Sequence, residues 1–264
     1  TFKLTNDINI TTMVGSWEIP FTGTFDGQGH TLNVNIESGD EYTAPFHWAI
    51  NCTFKKLTVA GTINVTNHFA GGIIGWAENV TLQGCESKVT INSQFPGDGT
   101  HGGFISIVRG GFARFYDCVF SGIIDGPVTS HCGGFCGWRD GDEPEFYNCL
   151  NIGSLNLEYR YDSSTFSRNG AKCENCYFIS SLGEQTDNLQ GIAVSASLLK
   201  NGNLTRTLQS GTRDWTTGQV WGQTIGSDAL PLLTSDTNKG VDMVTFTIGG
   251  QGVKKVIINS PIGG

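Results

Sequence analysis

Three stretches of the chain carry the deciding pattern: Gly71-Gly72-Ile73-Ile74-Gly75-Trp76, Gly102-Gly103-Phe104-Ile105-Ser106-Ile107 and Gly133-Gly134-Phe135-Cys136-Gly137-Trp138. Each of the later two begins 31 residues after the one before. A second series runs in step with them: Thr81-Leu82-Gln83-Gly84-Cys85, Arg114-Phe115-Tyr116-Asp117-Cys118 and Glu145-Phe146-Tyr147-Asn148-Cys149. Lys172-Cys173-Glu174-Asn175-Cys176 extends the series downstream, and Thr53-Phe54-Lys55-Lys56-Leu57 fits it upstream with Leu57 at the Cys position. Short strand-like runs follow, among them Lys88-Val89-Thr90-Ile91 and Ser121-Gly122-Ile123-Ile124.

A unit of about 30 residues with two or three short strands cannot bury its apolar face alone, so neighbouring units must stack and share one core. Strands of successive units would then pair in parallel about 4.8 Å apart. Helical patterns between the strands are absent, which argues against βαβ units. A propeller blade needs about four strands and 40 or more residues. The pattern therefore predicts an all-β fold, a right-handed parallel β-helix of about six coils over residues 1–185. Ile73, Phe104 and Phe135 should form one inward column, with the Gly pairs at the corners, where a missing Cβ permits the bend.

Composition agrees. Of 264 residues, 37 are Gly and only 15% are charged, against usual shares of about 7% and about 25%. The 16 Phe supply a core, and a disordered chain would have few aromatics and high charge. With only 7 Pro and no three-residue Gly period, collagen is excluded. No apolar run reaches the roughly 18 residues of a membrane span. The net charge of −8 and the lack of any basic run beyond Lys55-Lys56 or Lys254-Lys255 argue against nucleic acid and anionic lipid as partners. The start at Thr1 suggests an excised piece or a mature chain.

Downstream the pattern breaks. Residues 186–235 read as a C-terminal cap over the open end of the solenoid, where bare strand edges invite aggregation. Ser195 or Ser197 would cap a short helix there, with Leu198, Leu199, Leu204 and Leu208 as its apolar stripe. Residues 236–264 read as a further β module or tail: Met243 to Ile248 alternate as a strand, Gly249-Gly250 follow, and a second run spans Val253 to Ile258.

The run Phe21-Thr22-Gly23-Thr24-Phe25-Asp26-Gly27-Gln28-Gly29-His30-Thr31-Leu32 resembles the first coil of bacterial surface proteins with GLUG-type repeats. Gly72-Ile73-Ile74-Gly75 and Gly134-Phe135-Cys136-Gly137 look like the core of those repeats, while the middle copy departs at Ser106. Trp221-Gly222-Gln223 with Leu230-Pro231-Leu232-Leu233 is similar to the motif that closes such arrays. The tail from Val241 looks like the start of a β-grasp repeat of bacterial surface proteins. The resemblance covers roughly residues 1–235. It implies an extracellular or wall-attached protein, adhesin-like or an accessory region of proteases and carbohydrate-active proteins, and it transfers no catalytic residue.

Several constellations could carry chemistry. Cys85, Cys118, Cys149 and Cys176 recur once per coil, as inward core positions should. A rise of about 4.8 Å exceeds the ~3.8 Å Cβ separation a disulfide prefers, so they read as free buried thiols. Cys52, Cys132, Cys136 and Cys173 stay open between thiol and disulfide, and a zinc site from Cys132, Cys136, Cys173 and Cys176 is the minor alternative. His68, His101 and His131 precede the Gly corners but out of register, so they read as polar turn residues rather than metal ligands.

Asp140, Asp142 and Glu143 form the densest acidic stretch. They read as a solvated turn, with calcium binding as the alternative and no other cofactor implied. Glycoside cleavage would need two carboxyls roughly 5–10 Å apart across a groove. A β-helix lyase would need calcium beside an Arg or Lys base, and Arg109, Arg114, Arg139, Arg160 and Arg168 are candidates by location. Trp76, Ile107 and Trp138 share a position of opposite parity to the core column, so they should point outward. With Tyr116 and Tyr147 they would offer aromatic faces for sugar rings, or else cover a side loop. Asn51, Asn64, Asn79 and Asn203 each open an Asn-x-Thr triplet, a glycosylation pattern.

The expectation is a non-catalytic cell-surface module for adhesion or glycan binding, within a larger secreted bacterial protein. It would be monomeric, with a glycan or a host surface protein as partner. A carbohydrate-active β-helix enzyme (lyase or glycoside hydrolase) and a structural spacer are the alternatives; fold alone does not separate them.

Overall fold

The computed structural model describes residues 1–213, 215–247 and 253–260. The chain divides into two compact units, Thr1–Ala193 and Val194–Gly264. The first is an all-β parallel solenoid of about six coils, as the repeats predict.

Its two main sheets are parallel throughout. One runs Phe2–Lys3, Phe21–Asp26, Phe46–Lys55, Ile74–Gln83, Ala113–Tyr116, Glu145–Tyr147 and Lys172–Glu174, with Ile105–Val108 and Cys136–Arg139 alongside. The other runs Ile8–Ile10, Thr31–Ser38, Thr58–Val65, Glu86–Ser93, Val119–Phe120, Leu150–Asn151 and Tyr177–Ile179, with Ile123–Gly126 and Ser154–Leu157 alongside. Each coil thus contributes to both sheets, as one strand or, in the coils from Ile105 to Leu157, as two short ones, and returns through a side loop.

Columns of like residues follow from the register. Phe25, Phe54, Leu82, Phe115, Phe146 and Cys173 pair in sequence from coil to coil. On the other sheet Ile36, Ile63, Ile91, Ile124 and Leu155 do the same and are all buried. The predicted column is present: Ile73, Phe104 and Phe135 are fully buried. The rings of Phe104 and Phe135 stack at 4.7 Å, and Phe166 continues the stack at 5.0 Å. Alternation along each strand turns every second side chain inward, so one apolar row serves all coils.

The corner between the two sheets is set by Lys56, Gly84, Asp117, Asn148 and Asn175, each with φ between 45° and 61°. Asp and Asn tolerate this left-handed region better than most residues. The Asn175 amide donates to Asn148 Oδ1 at 2.5 Å, and the Asn148 amide donates to Asp117. The turn places the next residue inward, which makes the Leu57, Cys85, Cys118, Cys149, Cys176 column. All eight cysteines are free thiols. Cys118, Cys149 and Cys176 spend their S–H groups on carbonyls two residues back, at 3.3–3.4 Å.

The Gly pairs do a different job from the one predicted. None of Gly71, Gly72, Gly102, Gly103, Gly133 and Gly134 has positive φ. A Cβ on Gly72 would lie 2.0 Å from the Gly103 carbonyl oxygen, and one on Gly103 would lie 2.1 Å from that of Gly134. Gly72 and Gly103 are glycine because adjacent coils touch backbone to backbone, whereas on Gly71, Gly102 and Gly133 a Cβ would first meet the carbonyl oxygen of Ile74, Ile105 or Cys136 in the same coil, at 1.8–2.0 Å. The bend itself falls two residues earlier, at Phe69, Thr100 and His131, which have φ of 64°, 49° and 62°.

In the second unit Ser195 caps α1 (Ala196–Lys200), accepting from the Leu198 N–H. A second helix, α2 (Asn203–Gly211), buries Leu204 and Leu208. Trp221–Gly222 pairs antiparallel with Leu232–Leu233, and Trp221 is fully buried. Val241–Thr247 pairs antiparallel with Val253–Asn259; the expected strand end at Ile248 and the Gly249-Gly250 turn lie outside the described residues. Among the described residues no helix is long and apolar enough to cross a membrane.

Candidate functional site

The outward column predicted from Trp76, Ile107 and Trp138 exists, and it begins one coil earlier with Trp48. Trp48 and Trp76 face each other at 4.3 Å. Two loops close on them. Gly75 has no room for a Cβ, which would lie 1.8 Å from the Tyr42 carbonyl oxygen, so the loop carrying Tyr42 lies directly on the strand. Tyr42 then meets Trp76 edge-on at 5.1 Å and Trp48 at 5.3 Å.

The second loop brings Trp17, which the repeat pattern does not mark because it precedes the aligned copies. Gly15, at φ 84°, passes so close that a Cβ would lie 2.6 Å from the Trp48 carbonyl oxygen. Ser16 and Ile19 lock the turn through Ser16 N–H to Ile19 O at 3.0 Å and Ile19 N–H to Ser16 Oγ at 3.1 Å. Trp17 stands edge-on to Trp48 at 5.5 Å and to Trp76 at 6.3 Å, and is 69% exposed. The row is therefore part wall and part surface: Trp48 and Trp76 are half-buried, Ile107 is fully buried, and Trp17 presents an open indole. Outward parity held, but side loops cover the middle of the row.

Charge borders the cluster. The Arg109 guanidinium lies over the Trp76 ring at 5.0 Å and pairs with Asp140 at 2.5 Å. Asp140 also accepts the Trp138 indole N–H at 2.8 Å. Trp138 lies under the guanidinium of Arg168 at 4.6 Å. Such cation–π contacts hold ring orientation while leaving ring edges available. Asp140 thus sits in an ion pair beside two tryptophans. Its neighbours Asp142 and Glu143 follow it in the turn before Glu145–Tyr147. Among the described residues no three His, Cys, Asp or Glu side chains gather in a way that could hold a metal ion.

Tyr116 and Tyr147 stack at 5.1 Å with planes 12° apart, in a separate column. Beside them Glu145 takes Arg114 Nε at 2.8 Å and Tyr147 Oη at 3.3 Å, with Lys172 at 3.6 Å. Burial pushes the Glu145 carboxyl up, but the Arg114 bond and charge, the Tyr147 bond and Lys172 together hold it below the usual range. The tyrosine pair is a polar-edged aromatic patch, distinct from the tryptophan cluster.

The three histidines do not converge. His68 bonds Glu41 at 2.8 Å and stacks on Phe95, and His131 bonds Ser130 and meets Tyr161 edge-on. His101 is fully buried, with Nε2 2.7 Å from Ser93 Oγ. That pair has the spacing of a nucleophile and its base, but the proton is on the wrong nitrogen. Nδ1 accepts the Ala70 N–H at 3.0 Å, so the neutral ring carries its proton on Nε2 and donates to Ser93. This tautomer cannot take a proton from the hydroxyl. The candidate basic residues are likewise engaged: Arg160 with Asp187, Arg139 with the Asn169 carbonyl, Arg168 with Asp98 and Asp162.

The fold defines the chain as a parallel β-solenoid protein bearing an outward tryptophan cluster. No family model matches it, and no curated protein matches it. A solved crystal structure is similar: a Bacteroides ovatus protein provisionally assigned as an immunoglobulin A1 protease. The match has a TM-score of 0.51 and 16% identity, and covers 88% of this chain and 85% of that one. At that identity the likeness is one of fold alone.

Proposed function

We propose that the chain is a non-catalytic adhesion or glycan-binding module of a larger secreted bacterial protein, with the tryptophan cluster as its contact surface. The observation that carries this reading is the exposed Trp17 indole, held edge-on to Trp48 and Trp76 by a locked turn. A rigid, half-open aromatic face suits the apolar side of a sugar ring, and Arg109 and Asp140 at its border suit the hydroxyls. Trp138, under Arg168, and the Tyr116–Tyr147 pair are further aromatic groups on the first sheet, separate from the cluster. The GLUG-type resemblance, which implies a wall-attached or extracellular setting, supports the reading. The similar solved structure carries a protease assignment, and accessory regions of bacterial proteases fall within the same expectation.

A glycan array tests it. The wild type is expected to bind at least one glycan class, Trp17→Ala to lose that binding while keeping the wild-type unfolding midpoint, and Trp76→Ala, whose ring is half-buried, to lose it together with some stability. Retention of full binding by Trp17→Ala would remove the cluster from the proposal. Release of oligosaccharides from any polymer would overturn the non-catalytic reading.

A further inference from the structure

We infer that a groove on the second sheet is a separate binding site for an uncharged, hydroxyl-rich polysaccharide chain lying along the solenoid axis. The ends of strands Thr31–Ser38, Thr58–Val65 and Glu86–Ser93 border a groove of about 630 Å³, lined chiefly by Glu37, Ser38, Asn64, Thr66, Asn92 and Gln94. That volume lies within the usual range for a ligand site, roughly 300–1,000 Å³. No Lys or Arg lines it.

Register gives the groove its direction. Glu37, Asn64 and Asn92 pair in sequence, and Asp125 and Asn156 continue the column over two more coils. The column beside it, Ile36 to Leu155, is buried, so strand alternation turns this one outward. The result is one amide or carboxylate per coil, about 4.8 Å apart. An extended polymer laid along the column would meet the same class of group at each step.

The amides are also oriented. Asn92 Nδ2 donates to Asn64 Oδ1 at 2.8 Å. This directs the NH2 group of Asn64 and the carbonyl oxygen of Asn92 to other partners. Sugar hydroxyls both donate and accept, so alternating amide donors and acceptors fit them without requiring a charge. The Glu37 carboxylate in the lining, and the absence of any cation there, disfavour an anionic chain.

The groove shares no lining residue with the tryptophan cluster, so the two can fail independently. Calorimetry with cellohexaose, mannohexaose and hexa-N-acetylchitohexaose as neutral probes, and hexagalacturonate as the anionic one, tests the site. At least one neutral probe is expected to bind and hexagalacturonate to fail. Thr66→Trp, which fills the groove from an exposed position, should abolish binding. Gln94→Ala should weaken it about fivefold, the loss of one hydrogen bond; all of these are measured in the Trp17→Ala background, so that the tryptophan cluster adds nothing to the signal. If Thr66→Trp lowers the unfolding midpoint, Asn92→Asp, which adds charge without bulk, is expected to give the same loss. No binding of any neutral probe, or full affinity in the groove variants, overturns the site. Loss in Trp17→Ala alone overturns the groove and leaves the tryptophan reading standing.

Discussion

The ring of His101 and the hydroxyl of Ser93 lie 2.7 Å apart inside the wall of the solenoid, with the imidazole proton on the serine side. Burial pushes the His101 pKa down to about 3; the charge of His68 acts in the same direction and that of Asp98 opposes it. The unfolded chain binds this proton near pH 6.5. Between these values the unfolded state holds more protons, so stability is fully present above about pH 6.5 and falls as pH drops. The loss should reach about 1.4 kcal/mol per pH unit. Urea unfolding at about pH 7 and about pH 5 is expected to differ by about 2 kcal/mol from this group. His101→Gln should flatten that slope, and an unchanged slope in the variant would refute the assignment.

Glycines in the solenoid fall into two kinds that one measurement separates. Gly72→Ala drives a Cβ onto the Gly103 carbonyl at 2.0 Å and should cost about 3 kcal/mol or more, since backbone cannot move aside as a side chain can. Gly23 has open space around it and a φ of 88°. Gly23→Ala should therefore cost only about 1 kcal/mol of conformational strain. Equal losses in denaturant unfolding would contradict the backbone-contact account.

Arg168 binds three groups at once. Its guanidinium reaches Asp98 at 2.8 and 3.2 Å, Asp162 at 2.8 Å and Thr100 at 3.0 Å, while lying over Trp138. Its side chain is 7% exposed, but those of Asp98 and Asp162 are 52% and 39% exposed, which screens the pairs. Arg168→Lys keeps the charge and loses the planar fork. The expected loss is about 2 kcal/mol, with a change in Trp138 fluorescence. A variant as stable as the wild type would mean that charge alone holds these loops.

Thiol labelling should divide the cysteines by place. Burial pushes the Cys52 and Cys132 thiols up to about 12, and seven of the eight cysteines are buried. Native protein treated with iodoacetamide is expected to label at Cys173 first, because it alone is partly exposed, but slowly, because the Cys176 hydrogen bond and burial push its thiol up as well. All eight should label in denaturant. Rapid native labelling of Cys118 or Cys149 would show that the columns open on the labelling timescale.

Much of this frame was legible because a solenoid writes its core into the sequence at a fixed period. Phe104 and Phe135 align on the repeat alone, and so does the Cys85 to Cys176 column. Trp48 was not legible: its coil has Thr43-Ala44 ahead of Phe46 where later coils have Gly pairs, so no motif marked the register. Trp17 sits in a loop outside any copy, and only its approach to Trp48 assigns it. The burial of Ile107 was hidden for a related reason. Parity fixes which way a side chain leaves the sheet, while the covering loops are set by contacts such as Tyr42 on Gly75, which obey no period. The groove at Asn64 and Asn92 was not legible: the sequence marks Asn64 only as the start of an Asn-x-Thr glycosylation triplet and does not mark Asn92 at all. Its meaning comes from register, which places Glu37 and Asp125 in the same column.

The close packing of Trp17, Trp48 and Trp76 also makes the cluster an optical sensor. Three indoles whose centres lie 4.3–6.3 Å apart are near enough for their excited states to mix. Their combined near-ultraviolet circular dichroism then depends on the angle at which Trp17 stands. A molecule settling on that ring would shift the angle and the signal together, so occupancy of the surface can be followed without a label.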